Sequence, residues 1–218
     1  MSKTKTAAPD TPSAERRAPG RVQRRRDRRK AEIVRTATEI LASAGYQGTS
    51  LEEVAERTDI AKATLYHYFA SKDDLVLAAL ESLAVEVMTR LSARAEATSD
   101  GTAIERLRAL IDEQILILTE TAPEVATIFS WPRTWPPAFD EPMKGMRRRH
   151  DAMFRSVVQD GVGTGEFDCA DINVALQCMH GILNQSSVWL RPADGDLSDL
   201  RARTVDCALR LFVPDAAS

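Results

Sequence analysis

Residues 49–72 read TSLEEVAERTDIAKATLYHYFASK, and this stretch decides the fold. Ser50 with Glu53 three residues on makes a capping box, and Leu51, Val54 and Ala55 then recur at helical spacing. Thr58-Asp59 breaks that pattern before Ile60. A second short helix is predicted from about Ala61 to Phe69. Ser71 with Asp74 makes another capping box and opens a third helix.

The second short helix carries the chemistry. At about 100° per residue, Leu65 and Phe69 share one face, which can bury against Val54 and Ala55. Ala63, Thr64 and His67 centre the opposite face, flanked by Tyr66 and Tyr68. Lys62 in the first turn opposes the helix dipole and is a poor choice for local stability alone. It makes sense if that end meets a phosphate or a guanine edge. Ala63 permits close approach, and its methyl suits a thymine methyl. This is a helix-turn-helix layout with the second helix offered to a major groove.

These residues resemble the DNA-binding domain of the TetR family of transcriptional regulators. The matching positions are Gly45-Tyr46, Thr49-Ser50, Ala55, Thr64-Leu65-Tyr66-His67-Tyr68-Phe69 and Ser71-Lys72. The resemblance is tight over Arg28 to Leu80 and diffuse beyond. Asp59 departs from it, standing where the family usually has glycine; if φ is positive there, Asp is among the few other types that tolerate it. The resemblance implies base contacts from Lys62, Ala63, Thr64, Tyr66 and His67, and phosphate contacts from Ser50, Tyr68 and Lys72. Packing on the first or fourth helix is the alternative for Tyr66 and Tyr68. It also implies a homodimer formed by the last two helices, a double-stranded palindromic operator, and repression by default.

The fold class expected is all-α, with about nine helices: an N-terminal three-helix helix-turn-helix domain and a C-terminal helical ligand-binding and dimerisation domain. Residues 1–22 lack periodicity and read as a disordered tail; 23–72 form the DNA-binding domain and 73–218 the ligand-binding domain. Of the chain's 29 Lys+Arg and 32 Asp+Glu, 11 and 3 fall within residues 1–30, leaving 18 and 29 in the rest. A basic arm on an acidic body suits a protein that meets polyanions at one end. Gln23 to Lys30 is the densest part of that arm, placed to follow phosphates or enter a minor groove; a merely solubilising tail is the alternative. The chain is 44% hydrophobic, enough for a substantial core. Cys169, Cys178 and Cys207 read as reduced core thiols, and no signal peptide or membrane-length apolar run appears, so a cytoplasmic, nucleoid-associated protein is expected.

The first helix is expected over Arg28–Ser43, with Ile33, Ala37, Ile40 and Leu41 buried and Gly45 ending it. The fourth runs from Ser71 to about Ala97 and joins the two halves. Thr102 with Glu105 caps a fifth, to about Glu120; a short helix follows Pro123 to Ser130. The prolines of Trp131 to Pro137 force an irregular segment. Further helices are expected over Asp140–Asp160, Asp171–Leu190 and Leu197–Phe212, with a loop at Gly161–Gly165 and a turn at Arg191–Asp196. Val174, Leu176 and Leu183 in the first of the last two helices, and Leu200, Val205 and Leu209 in the second, make them apolar enough to pair across a dimer, though an intramolecular core would read the same.

Aromatics and methionines gather around the proline-rich bend. Phe129, Trp131, Trp135, Met146, Met153 and Trp189 are the candidate pocket residues for a hydrophobic small-molecule effector, with Met143 and Phe139 beside them. Simple core packing is the alternative. Ser187-Val188-Trp189-Leu190-Arg191-Pro192 looks like the tail of TetR-family members that answer to acyl-CoA thioesters. In Arg147-Arg148-Arg149-His150 the choice is between a solvated face and an inward arginine for an anion. No cofactor, metal site or catalytic residue is expected. His67, His150 and His180 lack ligand spacing, and adjacent carboxylates such as Glu52-Glu53 or Asp112-Glu113 diverge on a helix. Rival readings are an enzyme, or a helix-turn-helix module that binds protein rather than DNA.

Overall fold

The computed structural model describes residues 20–130, 135–190 and 197–213. Those residues form eight α-helices: α1 Arg21–Gly48, α2 Leu51–Arg57, α3 Lys62–Tyr66, α4 Lys72–Ala97, α5 Ala103–Leu116, α6 Asp140–Thr164, α7 Ile172–Trp189 and α8 Ser198–Leu209. No strand occurs among the described residues. The short helix expected after Pro123 is a π-helical turn, Ala126–Ser130, and the end of α5 widens into another, Ile117–Thr121. There Ala122 N–H donates to Ile117 O at 3.0 Å, one residue further than an α-helix reaches.

Local signals set most boundaries. Ser50 Oγ accepts from Glu53 N, and Ser71 Oγ from Asp74 N, each at 3.1 Å. Glu53 does not close its box, since its carboxylate takes Arg57 at 2.7 Å instead. Thr102 and Glu105 make the reciprocal pair in full. Asp59 has φ 50°, the sole positive φ outside glycine among the described residues, so the expected tolerance is used. Gly45, at φ 70°, interrupts α1 where the helix was expected to end.

Two boundaries differ from expectation. The first helix begins at Arg21, so Arg21 and Val22 are helical and the basic cluster Gln23–Lys30 extends the helix instead of forming a loose arm. Arginine and glutamine are good helix formers, and propensity there acts without an apolar stripe. The rest of the tail, residues 1–19, lies outside the described residues, as does the turn at 191–196. Gly161 is no loop: α6 continues to Thr164 and ends on left-handed Gly165, φ 79°. Gly161 is buried because α6 passes Phe167 and Ala103 closely there.

Helix α4 ties the two halves. Its Leu75, Val76, Ala79, Leu80, Leu83, Val87 and Leu91 are all buried; α4 packs on α1 in the N-terminal half and on α5 and α6 in the C-terminal half. One continuous core results, with Ile33, Ile40, Leu65, Leu107 and Phe154 fully buried. In the last two helices Val174 is 59% exposed and Leu200 40%, beside Trp189 at 41%. Cys178 and Cys207 also face solvent, so they are not core thiols; Cys169 is half-buried, and all three are free.

Candidate nucleic-acid interface and internal cavity

Helix α3 is short, and the chain on either side fixes its orientation. Leu65 and Phe69 anchor it to the core, while Ile60 N–H donates to Ala55 O at 3.0 Å across the turn. The face that remains holds Lys62, Ala63, Thr64, Tyr66 and His67, all exposed. Tyr66 is 48% exposed and does not pack on α1 or α4 as a core residue would. Tyr68 is half-buried and packs against the core, so packing accounts for its position. Ser50 and Lys72, both half-buried, stand at the N-termini of α2 and α4. Ser50 accepts the cap bond yet keeps a hydroxyl proton to donate.

Lys62 has a partner that its sequence context did not suggest: it forms an ion pair with Glu52 of α2. The pair raises the Lys62 ammonium pKa and lowers that of the Glu52 carboxyl. Glu52 therefore supplies the compensation that the helix dipole denies Lys62. Both groups are solvent-exposed, and such pairs are weak and exchangeable. Lys72 is held differently: its Nζ lies 4.3 Å from the Tyr46 ring centroid and donates to Gln47 O at 3.3 Å. Arg21, Arg24, Arg25, Arg26 and Arg28 continue the exposed basic surface along α1.

The C-terminal half holds a partly open cavity of about 520 Å³. Its apolar wall comes from Val87 and Met88 of α4, Leu118, Val125, Phe129 and Met146. Two of the expected pocket residues, Phe129 and Met146, thus line it. Trp135, Met153 and Trp189 do not: Trp135 stacks edge-on with Tyr46 and Phe139, Met153 packs against the core, and Trp189 faces outward. Trp131 lies outside the described residues.

The lining is also polar: of the run Arg147–His150, the alternative of an inward arginine is the one that Arg147 and Arg148 take up, while the named candidate pocket residues are all apolar. Gln114, Arg147, Arg148, His150, Asp151, Arg155 and His180 all reach it. Helices α6 and α7 bring His150 and His180 together, ring centroids 5.3 Å apart, with Phe154 against both. His150 Nε2 donates to Gln114 Oε1 at 2.8 Å. Burial, then the neighbouring His180, pushes the His150 imidazole down to about 4, so it is neutral near pH 7. Burial lowers His180 as well, partly opposed by Asp151. His180 Nε2 and Asp151 Oδ1 are 3.5 Å apart and make no well-formed hydrogen bond. Arg155 donates to Asp151 and to Asn173, each at 2.9 Å. With both imidazoles neutral, three arginines against one aspartate leave this wall cationic. Among the described residues, no group of His, Cys, Asp and Glu side chains is arranged to hold a metal ion, and no helix is long and apolar enough to cross a membrane.

Residues 33–79 match the family model for bacterial regulatory proteins of the tetR family, and residues 100–212 match the model for the tetracyclin repressor-like C-terminal domain. The HTH-type transcriptional activator FasR of Mycolicibacterium smegmatis is 31% identical over 87 residues, 40% of this chain and 39% of FasR. The regulator TcmR of Streptomyces glaucescens is 30% identical over 91 residues, 41% of this chain and 40% of TcmR. The chain thus spans about two fifths of the length of these curated relatives. Among solved structures, AibR in complex with isovaleryl coenzyme A and operator DNA aligns with a TM-score of 0.71 at 24% identity, covering 85% of this chain and 98% of AibR. FadR of Bacillus subtilis in complex with stearoyl-CoA aligns at 0.69 and 18%, covering 83% and 98%.

Proposed function

The chain belongs to the TetR family of bacterial regulatory proteins, and from that premise we propose that it is a repressor. It binds a palindromic operator as a homodimer and is released by an amphiphilic effector held in the cavity. The observation that carries this reading is the outer face of α3: Ala63, Thr64 and His67 stand open to solvent while Leu65 and Phe69 are buried. A helix anchored on one side and bare on the other is presented for contact.

In this reading Lys62, Ala63, Thr64, Tyr66 and His67 meet base edges, and Ser50, Lys72 and the flank of Tyr68 hold phosphates. Lys62 exchanges Glu52 for the DNA. The outward Val174, Trp189 and Leu200 of α7 and α8 support pairing with a second copy, which would double the contacts and set two α3 helices about one DNA turn apart, roughly 34–36 Å. The effector lays its apolar part against Leu118, Val125 and Phe129 and its anionic part against Arg147 and Arg148. The coenzyme A esters bound by AibR and FadR make an acyl-CoA thioester the first candidate. Release requires that the effector bind the DNA-incompetent packing more tightly, and that difference in affinity limits the shift. The protein acts in the cytoplasm, at the nucleoid, and as a regulator rather than an enzyme.

Selection of bound genomic fragments tests the reading, with gel shifts at two salt concentrations on the recovered sequence. His67→Ala is expected to relax base preference, and Lys72→Ala to weaken all sequences while flattening the salt dependence. Recovery of no enriched motif would favour a protein-interaction module instead.

A further inference from the structure

Tyr46 stands where three parts of the molecule meet. It follows Gly45, whose φ of 70° turns the chain off the axis of α1. On one side its ring meets Trp135 at 6.4 Å and Phe139 at 5.8 Å, centroid to centroid, and those two rings meet each other at 5.9 Å. All three contacts are edge-to-face, the favoured geometry for aromatic pairs. Phe139 is buried and is followed at once by α6, which carries Met146, Arg147 and His150 of the cavity wall. On its other side the Tyr46 ring lies beneath Lys72, Nζ to centroid 4.3 Å, and its hydroxyl donates to Asp73 Oδ1 at 2.5 Å. The first turn of α4 is therefore held by one aromatic ring that also rests on the N-terminal end of α6.

We infer that Tyr46 is a positioning residue for DNA binding: its ring sets the Lys72 ammonium, and Trp135 with Phe139 sets the ring. The inference rests on the reading of Lys72 as a phosphate ligand. A lysine side chain has many rotamers, and aiming one at a phosphate in advance removes part of the ordering cost of binding. A cation over a ring face is attracted to it, which supplies that aim. Packed aromatic clusters shift between discrete arrangements instead of deforming smoothly, so a displacement of α6 by a cavity ligand reaches Lys72 as a change of seat.

The test is a double-mutant cycle in the full chain. It uses a mixed-sequence duplex of about 30 base pairs, read by fluorescence anisotropy across a salt series, since phosphate contacts dominate non-specific binding. Tyr46→Leu and Trp135→Leu are each expected to weaken binding about two- to fivefold, the size of an exposed cation–π contact. Each should also lower the salt slope by about one phosphate contact. Tyr46→Phe keeps the ring and should keep the wild-type slope. In a Lys72→Ala background both Leu substitutions should have no further effect. Additive losses, or an unchanged slope, would mean that the rings only pack the junction, and would overturn the inference. If Lys72→Ala alone changes nothing, the phosphate reading fails and the inference falls with it. Circular dichroism checks folding; should Trp135→Leu unfold, the Tyr46→Leu and Tyr46→Phe pair decides.

Discussion

Acidification to pH 5 should cost this protein stability through His150, before carboxylate protonation dominates. The half-buried imidazole lines the cavity and packs against Gln114, Phe154 and His180, and its pKa is pushed down to about 4 by desolvation, against 6.5 for a free histidine. Below 6.5 the unfolded chain takes up a proton that the folded chain refuses, so stability falls as pH falls and the loss is complete near 4. Each pH unit of that interval is worth about 1.4 kcal/mol, so the full cost is about 3 kcal/mol and the part reached by pH 5 is about 2 kcal/mol. His180, lowered in the same direction, adds to it. The assay is the urea midpoint at pH 7, 6 and 5, for the wild type and for His150→Gln, which cannot titrate. The wild type should lose more stability over this window than the variant, which keeps only the share due to His180. Parallel curves for the two proteins would refute the burial of a neutral imidazole.

The other predictions concern single positions. A methyl added at Gly161 would lie 2.2 Å from Phe167 Cδ2 and 2.9 Å from Ala103 Cβ; Gly161→Ala should destabilise by about 1–3 kcal/mol, read as a lower thermal midpoint. Asp59→Gly should be neutral within about 1 kcal/mol, whereas Asp59→Val, forced to φ near 50°, should cost about 1–2 kcal/mol and weaken DNA binding with it. Glu52→Gln frees Lys62 and removes a negative charge beside α3. It should tighten binding to duplex DNA about twofold or more at low salt and steepen the salt slope, measured by anisotropy.

Much of this architecture was legible because its causes are local. Ser50, Ser71 and Thr102 bond groups three residues away, Gly45 and Asp59 bend the chain at their own dihedrals, and the α4 stripe repeats along one helix. The exposed face of α3 followed from the same periodicity. What escaped was set by contacts between helices. Glu52 reaches Lys62 across a turn, and His150 meets His180 because α6 crosses α7. Neither pairing has a spacing that sequence periodicity reports. The cavity was half visible for the same reason. Phe129 and Met146 announced an apolar wall, but Met153 lies along the same helix and packs into the core instead. Trp135 was assigned to the pocket by composition, whereas its ring packs on Tyr46 and Phe139.

The π-helical turn Ile117–Thr121 takes up one surplus amino acid where it occurs. In a regular helix an added residue turns everything after it by about 100°, whereas a wider turn absorbs it and leaves the downstream chain facing as before. Excising one residue here should therefore restore the ordinary ladder and leave Phe129 at the cavity, so this helix tolerates a change of length that a regular one would not.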